Sequence, residues 1–359
     1  MKGISLTAAT VALTATTAMA GGIDRSGQDI SILFEDGNHV KMGFASVNPD
    51  VPGAGGAFAT QSAISFNSLS FAVKKQFTEK LGFALIVDEP YGADIRYVDG
   101  PLAALGAPLP GLDINGRALV GSKAVTALGR YEFGNGFSLH GGARMQKVDG
   151  QILAGAGLLD ASSKWDVGYT GGAAYEIPDI ALRVALTYNS AITHDLTGTH
   201  SNQPYGLTAA DPATGSVRIP ESINLDFQTG IAANTLLFGK IRHVKWEGTT
   251  LTSTKGGADT DWVEFTEDST TFELGLGRKL NDNWSVAATI GYEKGSDTGT
   301  TFLAPTGTST SFGLGASYTQ DAYKISAGLK YINFDQKTVN GVPFEGDALA
   351  GGMSIDFMF

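Results

Sequence analysis

The stretch Ser222-Ile223-Asn224-Leu225-Asp226-Phe227-Gln228 sets Ile, Leu and Phe at every second position, with Ser, Asn, Asp and Gln between them. A period of two belongs to a β-strand, whose successive side chains point to opposite faces. One face of this strand is apolar and the other polar. The same alternation runs through Trp284, Val286, Ala288, Ile290 and Tyr292, through Phe312, Leu314, Ala316 and Tyr318, and through Tyr323, Ile325, Ala327, Leu329 and Tyr331, with aromatic residues at the ends. Such runs extend over roughly 9 to 14 residues, the length a tilted strand needs to cross hydrocarbon, whereas strands of soluble sandwiches average about 5 or 6. Length therefore turns the apolar face toward lipid.

Composition agrees. Among 359 residues there are 48 glycines and no cysteine, and 17% are charged, well below the roughly 25% of an ordinary soluble domain. A formal charge of −11 argues against the basic surface that phosphate binding requires, which excludes nucleic acid as a partner. Mean hydropathy is only +0.01, and beyond the first 20 residues no apolar run is long enough for a membrane-spanning helix. The chain opens with Lys2, continues through an apolar stretch from Ile4 to Thr17 and reaches Ala18-Met19-Ala20, the layout of an export signal over 1–20. Without cysteine there are no disulfides, thiolate metal sites or lipid-anchored N-terminal thiol.

Counting alternating segments from His39 onward gives about 14, an even number, as expected of a bacterial barrel. Tight turns at Thr78-Glu79-Lys80, Gly134-Asn135-Gly136, Pro178-Asp179, Ala233-Asn234, Asn281-Asp282-Asn283 and Gln320-Asp321 alternate with long connections. Short periplasmic turns and long external loops are the asymmetry of an outer-membrane barrel. The final run, Ser354-Ile355-Asp356-Phe357-Met358-Phe359, is an alternating strand with a terminal aromatic, similar to the signal read by the barrel-assembly machinery. The fold expected is all-β: a closed antiparallel transmembrane β-barrel over 39–359. Closure is compulsory because an unpaired backbone group in lipid costs several kcal/mol.

Facing the apolar set outward places Arg130, Glu132, His140, Arg144, Arg183, Asp226, Lys324 and Lys330 in the lumen. Between Thr235 and Trp246 the parity conflicts, because Lys240 and Arg242 share a face with Leu236, Phe238, Val244 and Trp246. The sequence does not orient that strand.

No catalytic signature is present: the chain has no G-x-S-x-G elbow, H-E-x-x-H helix or Walker loop. It reads as a non-enzyme without cofactor or metal. His194, His200 and Asp195 fall in an expected external loop and read as loop decoration, as does the acidic stretch with Asp259, Asp261, Glu264, Glu267 and Asp268. The connection from Pro90 to Gly121 is more informative, since Leu102, Leu105, Leu109, Leu112, Ile114 and Leu119 make it unusually apolar for an external loop. It either folds on itself as short helices or presents a groove to a hydrophobic ligand.

Three pieces carry a resemblance to a known family: Leu81-Gly82-Phe83-Ala84-Leu85-Ile86-Val87-Asp88-Glu89-Pro90-Tyr91-Gly92; Ile219-Pro220-Glu221-Ser222 leading to Lys245-Trp246; and Glu267-Asp268-Ser269 leading through Asn281-Asp282-Asn283-Trp284 to Gly291-Tyr292. The chain resembles the FadL/TodX (OMPP1) outer-membrane transporters of long-chain fatty acids and other hydrophobic compounds. The resemblance implies a barrel of about 14 strands with a short N-terminal plug, here 21–38. It also implies capture in an external groove, here Leu102 to Leu119, and sideways release beside a kink in the third strand. Ile86, Val87, Asp88, Glu89 and Pro90 would form that kink, where Pro90 cannot donate a ladder hydrogen bond.

The segment 21–38 is about half the family's usual plug length, and Asn48-Pro49-Asp50 falls after the first expected strand rather than in the plug. The family's head-group arginine aligns near Gly150, so carboxylate recognition would use Arg130, Arg144 or Arg183. The expected function is passive uptake of hydrophobic molecules across a Gram-negative outer membrane; the alternative is a general diffusion porin or a structural barrel. Expected partners are hydrophobic small molecules, outer-membrane lipid and lipopolysaccharide, and the assembly machinery, with the protein acting as a monomer.

Overall fold

In the computed structural model, the described residues are 23–53, 60–61, 64–97, 116–154, 157–201, 210–296, 298–299, 304–339 and 341–359. Fourteen antiparallel barrel strands close on themselves. They are β1 (His39–Asp50), β2 (Phe66–Gln76), β3 in two pieces (Leu81–Asp88 and Gly92–Arg96), β4 (Arg117–Glu132), β5 (Phe137–Ala154), β6 (Gly157–Ser163 and Asp166–Ile177) and β7 (Leu182–Asn189 and Ile192–Ser201). They continue as β8 (Asp211–Ile219 and Ser222–Ala232), β9 (Thr235–Val244 and Thr250–Lys255), β10 (Ala258–Glu264 and Ser269–Lys279), β11 (Trp284–Lys294), β12 (Ser309–Gln320), β13 (Tyr323–Val339) and β14 (Val342–Met358). The seam is β14 against β1, in register from His39 opposite Met358 to Asp50 opposite Asp347.

The decisive stretch behaves as its alternation requires: Ser222, Asn224 and Gln228 are buried while Ile223 is exposed to the outside. Leu274, Leu276, Ile290, Phe312, Leu314 and Leu329 are likewise exposed large apolar residues, the surface a bilayer covers. At the tight-turn rim, aromatic rings pair in a girdle: Phe77 with Phe83, Tyr131 with Phe133, Phe137 with Tyr175 and Trp284 with Tyr318, with centroids 4.6 to 5.5 Å apart. Aromatic belts at membrane interfaces have this position.

Several strands outrun the hydrocarbon. β5 has 18 residues and β13 and β14 have 17 each, against the roughly 9 to 11 that a tilted crossing needs. Much of what the sequence suggests as long external loop is therefore strand continuing above the membrane. His194, Asp195 and His200 lie in β7 instead of a loop, and Asn48-Pro49-Asp50 ends β1 instead of following it. Pro49 is tolerated there because it opposes Ala348 at the far end of the ladder.

The lumen is filled unevenly. Toward the tight turns, inward charges are paired: Lys330 Nζ donates to Glu273 Oε2 at 2.5 Å, and Arg130 binds Glu176. Toward the other end, inward residues are apolar and close-packed, with Val47, Tyr97, Ile152, Trp262, Phe334, Phe344 and Ala348 all buried in one cluster. β9 takes the orientation the sequence leaves open. Arg242, Val244 and Trp246 are all buried inside, at 1%, 0% and 0% exposure, because lipid would charge a midplane Arg about 2 to 4 kcal/mol whereas an inward Trp has apolar company.

Candidate functional site

The site lies where β3 breaks. Up to Val87 opposite Phe71, β3 pairs with β2 in a regular ladder. Beyond that point, Asn67 to Ser70 of β2 have their ladder partners on β1 alone. On its other side β3 keeps pairing with β4, but Glu89, Pro90 and Tyr91 stand opposite only Ser122 and Lys123, which is a bulge. Pro90 brings no N–H to the ladder, so the break falls where a strand hydrogen bond is already missing. Tyr91 is anchored inward: its N–H donates to Ser122 Oγ at 2.8 Å, and the same hydroxyl donates to Tyr91 O at 2.7 Å. Ile64 N donating to Asp94 O at 3.0 Å closes the unzipped stretch at its upper end.

The segment preceding β1 takes the place that β2 leaves. Arg25 N donates to Pro90 O and Gly92 N to Ile23 O, both at 2.8 Å, and Asp24 bridges to Tyr91. A side chain at position 92 would collide with the Arg25 guanidinium, which explains the glycine there. Arg25 in turn binds Asp94 and lies 4.2 Å from the Phe66 ring centroid.

Further contacts fix the segment from the opposite wall. Arg242 Nε donates to Asp24 Oδ2 at 2.5 Å, and its Nη1 donates to Asn224 Oδ1 at 2.8 Å, Ser222 Oγ at 3.0 Å and Gln28 Oε1 at 3.1 Å. Asn224 Nδ2 and Lys240 Nζ both donate to Gly27 O, at 2.9 and 3.1 Å. Next along the chain, Ile30, Ile32, Leu33 and Phe34 bury against Ala84, Ile86, Leu128, Ala174 and Ala185 of the inner wall. A short 3-10 turn at Ser31–Phe34 presents them.

Of the three cations singled out in the sequence, Arg130 and Arg183 face the Phe34 ring from 4.7 and 5.0 Å. Arg144 lies higher, beside the kink, where its Nε donates to Thr126 Oγ1 at 2.9 Å. Ile86 and Asp88 point inward and are buried, Val87 points out, and Glu89 is half-buried. Leu102, Leu105, Leu109, Leu112 and Ile114 lie outside the described residues; Leu119 is half-buried within β4 rather than in a loop.

Above the kink, Tyr91, Val148, Leu196, Ile219, Val244 and Trp246 pack together in a buried apolar cluster. Below it is a cavity of about 250 Å³ with a charged lining that includes Asp29, Glu35, Lys41, Arg183, Lys240 and Lys324. Asp29 is half-buried there, and its lost hydration would raise its pKa, but Lys240, Lys41 and the hydrogen bonds from Ser31 outweigh that and hold the carboxyl below its ordinary value. The pattern is apolar outside, polar beneath, with the broken strand at the boundary. No group of metal-ligating side chains occurs among the described residues.

Residues 31–356 match the family model described as outer membrane protein transport protein (OMPP1/FadL/TodX). The chain belongs to this family. In fold this FadL/TodX member is similar to a FadL homologue of Pseudomonas aeruginosa, at 16% identity over 96% of this chain and 98% of that one, with a TM-score of 0.76. It is also similar to the toluene transporters TodX of Pseudomonas putida (12%, 96% and 98%, TM-score 0.68) and TbuX of Ralstonia pickettii (12%, 90% of each, TM-score 0.63). No curated protein matches it in sequence. Membership makes it an outer-membrane channel of a Gram-negative bacterium for hydrophobic compounds, in a family of transport proteins rather than enzymes.

Asp24, Tyr91, Arg242 and Trp246 escaped the sequence reading as site residues. The available signal was the parity conflict in β9: a strand with Arg242 and Trp246 on one face has to serve an interior that is polar below and apolar above.

Proposed function

We propose that hydrophobic molecules enter this FadL/TodX channel from outside, reach the kink through the apolar interior above it, and leave sideways between β2 and β3 into the outer membrane. The observation that carries this reading is the exchange of partners at Asp88. There β3 gives up β2, opening the wall at Asn67 to Ser70, and pairs instead with the segment before β1. That segment, 21–38, then acts as the plug between the apolar cluster above and the charged cavity below. Lipopolysaccharide resists apolar solutes, and a protein path that ends in the membrane bypasses it without an energy source. We place first capture on the apolar sequence from Leu102 to Ile114.

Cells expressing the protein should accumulate labelled apolar compounds, alkanes and long-chain fatty acids among them, faster than cells lacking it, and the purified protein should pass no small sugars in liposome swelling. Equal accumulation in both strains would refute the reading. Free sugar flux would favour instead the diffusion porin that the charged cavity suggests.

A further inference from the structure

The outward faces of β4 and β5 carry a charge conflict. Lys123 of β4 stands directly opposite Lys147 of β5 in the ladder, on the side that bears the exposed Tyr131, Leu139 and Met145. Directly opposed side chains lie about 5 Å apart at Cβ, and like charges in that position are destabilising. The next strand adds to the excess. Between the two pieces of β6, Lys164 and Trp165 are both exposed, and Lys147 Nζ lies 5.7 Å from the Trp165 ring centroid. Among the described residues, neither Asp149, two positions along β5 on the same face, nor Glu89, across the bulge from Lys123, forms an ion pair with these lysines.

Depth decides what the lysines meet. A tilted strand crosses the hydrocarbon in about 9 to 11 residues, the distance from Phe137 to Lys147 and from Tyr175 to Trp165, and Phe137 and Tyr175 are paired in the tight-turn girdle. Along the way, Leu139, Met145, Val167 and Tyr169 face outward and are exposed. Because the tight turns are periplasmic, Lys123, Lys147, Lys164 and Trp165 reach the interface of the outer leaflet. Lys294 ends β11 at the same remove from Trp284, but its ladder partner is Thr270. A single lysine therefore suffices for that interface, where its long stem carries the charge up to water. The doubling on β4 and β5 calls for an anion.

We propose that Lys123 and Lys147, with Lys164 beside them, dock a lipid A phosphate of lipopolysaccharide, whose acyl chains lie along the apolar strip of Met145, Val167 and Tyr169. A phosphate monoester carries about −1.5 to −2 charge at pH 7 and three acceptor oxygens, so it can accept from both ammonium groups at once. It supplies the counter-charge that the neighbouring strands do not, and turns the repulsion across the ladder into attraction. The site depends on the outer-membrane location alone and stands apart from the uptake route.

The test uses the whole protein in phosphatidylcholine liposomes, with and without lipid A, and reads the denaturant midpoint. Lys123→Gln should raise the midpoint without lipid A, because it relieves the repulsion, and lower it with lipid A, because it removes a phosphate contact. Structural damage would lower both. Binding is read in detergent with labelled lipid A, displaced by unlabelled lipid A, its dephosphorylated form or phosphatidylglycerol, each variant being checked for an intact barrel by heat-dependent gel mobility. Lys123→Gln combined with Lys147→Gln should weaken binding at least about tenfold, while the matching double change to arginine should retain it and Lys294→Gln should leave it unaltered. Unchanged binding in the double glutamine variant, loss in the arginine variant, or an equal loss from Lys294→Gln would overturn the proposal. So would a midpoint that moves the same way in both liposomes, or displacement by phosphatidylglycerol or dephosphorylated lipid A as strong as by lipid A itself.

Discussion

Arg242 and Asp24 lie 218 residues apart in sequence and meet at 2.5 Å inside the barrel, with side chains 1% and 0% exposed. The pair ties the segment before β1 to the wall opposite the kink. Its main effect is on placement, since a buried ion pair adds little net stability over apolar replacements, yet removing one partner costs about 3 to 5 kcal/mol because the other charge is stranded.

Asp24→Ala should therefore release the segment. Limited proteolysis in detergent should cut near residues 23–38 in the variant under conditions that spare the unaltered protein. Asp24→Ala combined with Arg242→Met should recover much of the protection, because no charge is left stranded. If the single variant is as resistant as the parent, the pair does not hold the segment.

The outward face makes a second demand. Leu314 of β12 lies between Ala288 of β11 and Leu329 of β13, is 54% exposed, and sits mid-strand. Leu314→Arg should lower the free energy of unfolding in liposomes by about 2 to 4 kcal/mol, the penalty for a cation at the bilayer midplane. Denaturant titration reads the shift directly, and an unchanged midpoint would mean that lipid does not cover this face.

The barrel was legible in the sequence because a membrane strand must obey one strict rule on each side. Ile223, Leu314 and Leu329 have to face lipid, Ser222 and Ser326 have to face in, and tight turns such as Asn281-Asp282-Asn283 punctuate the runs. The site was less legible, since its key contacts join residues that no local pattern connects. Asp24 finds Arg242 across the lumen, and Gly92 is glycine because the Arg25 guanidinium passes over it. Pro90 announced an interruption of the ladder, but not that the freed backbone would be taken up by Ile23 and Arg25. The outer extensions of β5, β13 and β14 were missed because above the hydrocarbon the lipid-side rule lapses and alternation fades.

A pH effect follows from Asp29, which accepts hydrogen bonds from Ser31 N at 2.9 Å and Ser31 Oγ at 2.8 Å. Burial pushes its pKa up, but Lys240, Lys41 and these hydrogen bonds push it down further, and the net shift is downward. A carboxyl with a depressed folded-state pKa stabilises the fold above its ordinary pKa of about 4 and loses that contribution as pH falls through the lower folded value. Amide exchange of residues 23–38 should thus stay slow from neutral pH down to about 4, after correction for intrinsic rates, and speed up only in stronger acid. Asp29→Asn should exchange faster at neutral pH and lack the acid-induced step; the same acid step in both proteins would assign it to another group.

The unzipped stretch between β2 and β3 can be closed chemically. Continuing the register of Phe71 opposite Val87 would set Leu69 opposite Glu89, and the chain has no cysteine of its own. In the double variant Leu69→Cys and Glu89→Cys, a disulfide requires Cα atoms within about 4.4 to 6.8 Å, so oxidation would draw the two strands together at the gap. Apolar uptake should stop in oxidised cells and return on adding reductant, while Leu69→Cys alone should transport normally in both states. Uptake that continues unchanged through a fully formed disulfide, verified by mobility on non-reducing gels, would rule out exit between these strands and direct attention to a path through the charged cavity below.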